Sequence, residues 1–405
     1  MADNNENKVL NVPHLRFPEF SGEWDSERLE NLTVSIGDGL HSTPVYCEQG
    51  DYCFINGNNI IDGKVSINEK TLRVTKEEAY KYNAALLKVD TILMSINGTI
   101  GNVALYNGEN IMLGKSACYI NPSSRIVREY LFHILSSPRI QAYFQGEVTG
   151  TTIKNLSLRT IRGSKILLPS NEEQKKIARL FSLVDERIAT QNKIIEKYES
   201  LIQAIIYQKK AAGIRKGDWQ KTELSNVLKE RIEKNTNGYI ICSVSVSQGV
   251  INQIEYLGRS FAAKETLHYN VVKYGDIVYT KSPTGDFPYG IVKRSYIKDD
   301  VAVSPLYGVY MPVNDYIGVI LHFYFMQPSN AFNYLHPLIQ KGAKNTINIT
   351  NERFLKNSIP LPKTENEAIY IANTLISIQK KIDMEKKMLW SYEKEKQYLL
   401  SKMFI

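Results

Sequence analysis

The sequence is poor in the residues that build metal centres, disulfides and membrane spans. Only four cysteines occur, at positions 47, 53, 118 and 242. No two stand in a Cys-x-x-Cys spacing, and no Cys/His cluster has zinc-finger spacing, which argues against structural zinc. So few scattered thiols suit a reducing, cytoplasmic setting. The opening residues MADNNENKVL lack the basic-then-apolar pattern of a secretion signal. The longest apolar stretch, 316–326, falls well short of the about 20 residues that a membrane span needs. No membrane association is expected.

Catalytic signatures are missing as well. There is no G-x-x-x-x-G-K-[ST] loop for ATP phosphates. No glycine-rich strand-to-helix turn suits S-adenosylmethionine or a dinucleotide, since Gly37-x-Gly39 lacks a third glycine. Asn121-Pro122-Ser123-Ser124 does not match the Asn/Asp-Pro-Pro-aromatic run of base methylation. Glu173-Gln174-Lys175 and Glu385-Lys386-Lys387 carry a nuclease-like Glu-x-Lys spacing. Both fall on helical patterns, where residues two apart point away from each other, so they read as solvated charge. Of six histidines, His133 and His322 sit in apolar helical stretches and read as core or interface groups. Only His41 stands on a polar loop, and it has no nucleophile elbow nearby. No catalytic residue and no metal ligand is assigned.

What is present is length, positive charge and repetition. A chain of 405 residues holds two or three domains at roughly 100–200 residues each. Lys and Arg number 50 against 42 Asp and Glu, a net charge of +8 that suits a polyanionic partner. Tyrosine is abundant at 25, and its flat ring with a hydroxyl suits wet interfaces as well as half-buried strands. Gly22-Glu23-Trp24 near the start is echoed by Gly217-Asp218-Trp219, 195 residues later. The stretch from Lys88 to Ser95 is echoed by Lys273 to Thr280. Thr152-Ile153 is echoed by Thr346-Ile347, and Ile166-Leu167-Leu168-Pro169 by Ile359-Pro360-Leu361-Pro362. Offsets stay between 185 and 195, so the chain holds two copies of one unit.

Each copy ends in a long helix. Ser170-Asn171-Glu172-Glu173 and Thr364-Glu365-Asn366-Glu367 both read as capping boxes, in which the N3 glutamate reaches back to the cap. Apolar residues then recur at alternating four- and three-residue steps. The first series is Ile177, Phe181, Val184, Ile188, Gln191, Ile195, Tyr198, Ile202, Ile205. The second runs Ile371, Leu375, Ile378, Ile382, Glu385, Leu389, Tyr392, Lys396, Leu399, Met403. These are heptad seams with matching polar intrusions at Gln191 and Glu385. A helix of about 40 residues reaches about 60 Å at 1.5 Å per residue, which makes it a spacer. Repetition implies that the two helices run antiparallel and bring the chain ends together.

The expected class is α+β: two similar target-recognition domains of short strands plus helices, separated by two long antiparallel coiled-coil helices in a pseudo-two-fold repeat. The domains are placed at 13–168 and 213–362, and the helices at 169–212 and 363–405. Short β-branched runs between Gly, Asn, Asp and Pro predict many short strands. One helix per domain is expected, near 127–135 and 316–326, each followed by a proline (Pro138, Pro328).

Two basic domains held apart by a rigid spacer suit a ligand with two separated sites, and DNA is one. The candidate reading loops are 38–43, 97–102, 149–154, 281–286 and 341–348, all rich in small hydrogen-bonding residues. The candidate DNA-binding residues are His41, Ser42, Thr43, Asn97, Thr99, Thr151, Thr152, Lys154, Lys281, Thr284, Lys344, Asn345 and Thr346.

Four motifs are similar to one family. They are Leu15-Arg16-Phe17-Pro18-Glu19-Phe20 leading to Gly22-Glu23-Trp24, then Asp38-Gly39-x-His41-x-Thr43-Pro44. Gly150-Thr151-Thr152-Ile153-Lys154-Asn155-Leu156 and Leu168-Pro169-x-x-Glu172-Glu173-Gln174-Lys175-Lys176-Ile177-Ala178 follow. In these the chain resembles the specificity subunit of type I restriction–modification systems, from about residue 13 to the end. The second copy departs from the pattern, with Glu365-Asn366-Glu367 where the first has Glu172-Glu173-Gln174. Its glycine–histidine loop also has no twin after Trp219.

The resemblance implies that each domain reads one half of a split, asymmetric site in double-stranded DNA. It implies that the long helices fix the gap and bind two modification subunits, which methylate adenine. With restriction subunits added, the complex cleaves DNA using ATP. The chain itself would be non-catalytic and carry no cofactor, with S-adenosylmethionine, ATP and Mg2+ on its partner subunits. Two other functions compete, a self-contained DNA-modifying enzyme and a coiled-coil scaffold for proteins.

Overall fold

The structure, a computed structural model, describes residues 11–150, 154–259, 265–341 and 347–404. The chain divides into two compact units, 1–191 with 388–405, and 192–387. Each long helix therefore contributes to both. They span Asn171–Lys216 and Glu365–Met403.

The two units repeat one topology. In the first, a four-stranded antiparallel sheet runs in the order Thr33–Asp38, Ala117–Pro122, Ile92–Ser95, Val103–Leu105. In the second the order is Leu228–Glu230, Gly308–Pro312, Ile277–Tyr279, Val292–Arg294. The strands Ile92–Ser95 and Ile277–Tyr279 are buried on both faces. A two-stranded ribbon carries each repeat signature. Asp25–Arg28 pairs with Lys165–Leu168 after Trp24, and Trp219–Glu223 pairs with Ser358–Pro362. The first unit adds a three-stranded sheet built on Tyr52–Ile55. The second adds the ribbons Cys242–Ser245 with Gly249–Asn252, and Asn270–Val272 with Val301–Val303.

The expected helices are Arg128–Leu135 and Asp315–Phe325. One helix per domain is an undercount. Pro138 and Pro328 open further helices, Pro138–Gly146 and Pro328–Leu335. At the first helical position proline loses only an N–H that has no helical partner, so it starts a helix as readily as it follows one. His133 is buried in Arg128–Leu135 and His322 in Asp315–Phe325.

The capping boxes form by halves. Ser170 Oγ accepts from Glu173 N (3.3 Å), and Thr364 Oγ1 from Glu367 N (3.4 Å). Neither glutamate returns to its cap. Glu173 receives two bonds of 2.7 Å from Arg16, and Glu367 accepts one of 3.0 Å from Trp219 Nε1. A buried cation or indole N–H is a stronger partner than the solvated cap amide, so each glutamate fastens the start of its own repeat.

The helices pair antiparallel within each unit. In the first, Asp185 meets Lys396 at 2.6 Å, and Arg187 donates to Tyr392 Oη at 3.1 Å. In the second, Glu199 meets Lys386 at 2.8 Å, and Lys209 lies 5.1 Å from the Tyr370 ring. Numbers rise on one helix as they fall on the other. Ile177, Phe181, Gln191, Ile195 and Ile202 are buried along the seam, but the next buried residue is Ile206 rather than Ile205. Likewise Leu400 is buried in place of Leu399. A nearly straight helix drifts about 20° per heptad, which moves the seam by one residue over this length.

The C-terminus is built into the first unit. Leu400, Met403 and Phe404 belong to the cluster around Trp24, Tyr130 and Phe181. Leu15 N donates to Lys402 O at 3.0 Å. Met1 and Ile405 themselves lie outside the described residues. Among the described residues no helix is long and apolar enough to cross a membrane.

Candidate nucleic-acid interface

In the first unit three candidate loops meet one turn. The polypeptide leaves Thr33–Asp38 through Gly39, whose amide donates to Ala117 O. Leu40 N donates to Leu113 O at 2.8 Å. A Cβ at Gly39 would strike the Leu113 carbonyl, so this close crossing requires glycine. The crossing projects His41, Ser42 and Thr43 outward, all exposed. His41 Nε2 lies 2.6 Å from Asp38 Oδ2, an Asp–His contact on the surface.

The 97–102 loop rests on the same turn. Ile96 N donates to Ser116 O (2.9 Å), and Asn97 Nδ2 to Lys115 O (3.0 Å). The third loop is stitched to the second. Gly98 N donates to Lys154 O at 2.9 Å, and Leu156 N to Ile96 O at 2.8 Å. Thr149 and Asn155 exchange both backbone hydrogen bonds. Thr99 and Lys154 are exposed, and Asn97 is half-buried. Thr151 and Thr152 lie outside the described residues.

Lys115, exposed in the turn itself, joins this group although the sequence motifs do not single it out. Its only sequence signal is a basic residue in a Gly-Lys-Ser turn between two apolar strands. His41, Ser42, Thr43, Thr99, Lys115 and Lys154 thus project from loops that share backbone hydrogen bonds, a polar and cationic rim in which Asp38 is the acidic side chain among the described residues of these loops. Such a surface offers donors for phosphates and base edges.

The second unit builds its loops differently. Thr284 and Phe287 exchange backbone hydrogen bonds of 3.0 Å across a tight turn, and Ser282, Thr284 and Asp286 are exposed. Lys281 enters that turn with a φ of 61°, a left-handed conformation rare outside glycine. It is half-buried, and burial pulls its ammonium below the ordinary lysine range. Glu230 acts against that shift, and its carboxylate accepts from Asn351 Nδ2 at 2.6 Å. Strands Gln340–Lys341 and Ile347–Asn348 pair on either side of the last candidate loop. Lys344, Asn345 and Thr346 lie outside the described residues. Among the described residues no group of His, Cys, Asp or Glu is placed to hold a metal ion.

Comparison with known proteins bears on the whole chain. Residues 22–200 match the model of the type I restriction modification DNA specificity domain. Over 154 residues the chain is 28% identical to the type I restriction enzyme EcoBI specificity subunit of Escherichia coli, a match covering 36% of this chain and 32% of that one. The chain thus spans about a third of that relative's length. Over 413 residues it is 24% identical to the MjaVIII specificity subunit of Methanocaldococcus jannaschii, covering 96% of this chain and 92% of that one. The fold is similar to the type I restriction–modification S subunit from M. genitalium, with a TM-score of 0.57 at 16% identity, covering 97% of this chain and 99% of that one. Residues 22–200 thus match a type I restriction modification DNA specificity domain, and along most of its length the chain is similar to a type I restriction enzyme specificity subunit.

Proposed function

We propose that this chain is the sequence-reading, non-catalytic subunit of a DNA methyltransferase and endonuclease complex. The observation that carries the proposal is the doubled unit, one sheet topology used twice with different loops on each copy. Equal scaffolds with unequal surfaces suit a DNA site whose two halves differ. The first unit reads one half through His41, Ser42, Thr43, Asn97, Thr99, Thr151, Thr152 and Lys154. The second reads the other through Lys281, Thr284, Lys344, Asn345 and Thr346.

Two modification subunits dock on the long helices and methylate adenine, and restriction subunits add ATP-dependent cleavage. The exposed apolar residues of these helices support such docking. Leu183, Leu201, Tyr207, Met384 and Tyr398 are all exposed, and Trp390 is 61% exposed. S-adenosylmethionine, ATP and Mg2+ belong to those partners, and the assembly works in the cytoplasm on double-stranded DNA.

The test is a domain exchange. Residues 213–362 are replaced by the matching segment of a relative, and methylated adenines are sequenced in cells carrying the complex. One half of the methylated motif should change while the other stays. A change in both halves, or in neither, overturns the assignment of one half-site to each unit.

A further inference from the structure

The edge strand Val292–Arg294 of the second unit carries two cations into the interior. Arg294 is 1% exposed and Lys293 is 4% exposed. The charge of Arg294 is answered. Its guanidinium pairs with Asp315 and sits between the rings of Tyr274 and Tyr296, 4.7 and 4.5 Å from their centroids. Its backbone N donates to His322 Nδ1 at 3.1 Å, which holds that ring neutral on this nitrogen. The Lys293 ammonium has no hydrogen-bond or ion-pair partner among the described residues. A buried ammonium without a partner is costly and is not retained by packing alone.

Lys293 lines a cavity of about 740 Å³ within the second unit, a volume in the range of small-molecule sites. Val319 and Phe323 of Asp315–Phe325, with Ile202 and Ile382 of the long helices, supply apolar wall. Three carboxylates also line it, and each already has a partner. Asp315 pairs with Arg294, Glu199 with Lys386 at 2.8 Å, and Asp383 accepts from Gln379 Nε2 at 2.9 Å. Among the described residues, the lining cations without an anionic partner are Lys293 inside and Lys380, exposed at the rim.

We propose that this cavity binds a small amphiphilic anion, its carboxylate or phosphate head on Lys293 Nζ and its apolar body against the Val319 and Phe323 wall. An apolar wall beside a buried cation that has no anion of its own selects against neutral and cationic ligands of the same shape. Burial already pushes the Lys293 ammonium down to about 8, and a bound anion would hold the proton in place. The inference is independent of DNA reading, because none of these residues belongs to the candidate loops.

The experiment titrates the full chain with octanoate, octyl phosphate and octanol by calorimetry. Saturable one-to-one binding of octanoate or octyl phosphate is expected, and the tighter of the two names the head group. Octanol should bind at least about tenfold more weakly, as should octanoate to the Lys293→Met variant, while Lys293→Arg stays within about threefold of the native affinity. Absence of saturable anion binding, equal affinity for octanol, or undiminished binding by Lys293→Met overturns the proposal. If Lys293→Met fails to fold, the octanoate-to-octanol ratio on the native chain decides alone. The methylated motif plays no part in this test, so its failure leaves the DNA reading untouched.

Discussion

At one register position the two units hold opposite residues. Leu93 faces Ala104 in the first sheet, and Val278 faces Lys293 in the second. The next pair repeats the contrast, with Leu105 opposite Ile92 and Arg294 opposite Ile277. One topology thus supports a wholly apolar edge strand in one copy and a doubly cationic one in the other. What differs is the space beside the strand. Ala104 is fully buried among Ile55, Ile60, Ile111 and Leu113, whereas Lys293 opens on a cavity.

The sharpest way to break that comparison is to exchange the residues. Ala104→Lys places an ammonium where there is neither a partner nor room. It should cost more than about 4 kcal/mol and leave the first unit unfolded. Lys293→Met removes a charge that burial already disfavours and should stabilise the second unit by about 1–3 kcal/mol. Denaturant melts of both variants measure this. A folded Ala104→Lys chain with native stability would show that the edge strands are interchangeable and the cavity incidental.

The N3 glutamates give the next contrast. Glu367 accepts directly from Trp219, whereas Glu173 is taken by Arg16, whose guanidinium lies 6.0 Å from the Trp24 ring. Trp24 Nε1 is buried with no hydrogen-bond partner among the described residues. Removing Arg16 leaves a carboxylate of 1% exposure uncompensated, so Arg16→Ala should cost about 3 kcal/mol. Glu367→Ala strands a single indole N–H and should cost about 1–2 kcal/mol. Thermal melts that rank these two in the reverse order would show that the repeats share one fastening after all.

Acid should treat the units alike. Burial first, then Lys396, pushes His133 down to about 3. Burial first, then Lys293 and Arg294, does the same to His322. Both stay neutral in the folded chain while an unfolded histidine protonates near 6.5. Their contribution is complete above about pH 6.5 and is lost as pH falls toward 3, at up to about 1.4 kcal/mol per pH unit for each ring. His133→Gln and His322→Gln should each flatten that acid limb, measured as melting temperature between pH 6.5 and 4. An unchanged limb in either variant would mean that the carboxylates alone set acid stability.

Elements with long periods are legible in the residues themselves. The helices over Asn171–Lys216 and Glu365–Met403 follow from four-heptad seams, because a long pattern averages out local noise. The repeat places both sheets and both ribbons in matching order. Features that depend on through-space register are not legible. Nothing in Val292-Lys293-Arg294 distinguishes a solvated edge from a buried cationic strand. Nothing in Ser170–Glu173 shows that Arg16, 157 residues away, diverts the capping glutamate. Proline at 138 and 328 is ambiguous, since the same residue ends one helix or begins another. Of the candidate loops, the sequence order does not reveal that 38–43, 97–102 and 149–154 share one turn, nor that Lys115 stands within it.

The smallest expected effect separates two lysines that look equivalent in sequence. Lys154 is exposed, and only its backbone is tied, through its carbonyl to Gly98 N. Its side chain is free to meet a phosphate. Lys281 is half-buried at a φ of 61°, with Glu230 close enough to act on its charge. Its ammonium is partly neutralised from within. Lys154→Ala in the assembled methyltransferase should therefore weaken binding to all DNA sequences. It should also reduce the log–log salt slope by about 1, because one phosphate is no longer neutralised. Lys281→Ala should change that slope by less. Lys281→Gly should in addition relieve a left-handed backbone worth about 1 kcal/mol and raise the melting temperature slightly. Affinity measured across a salt series with matched and unmatched duplexes distinguishes them. Equal slope changes for the two alanine variants would show that both lysines hold phosphates. An altered methylated motif in Lys154→Ala would move that residue from holding the backbone to reading bases.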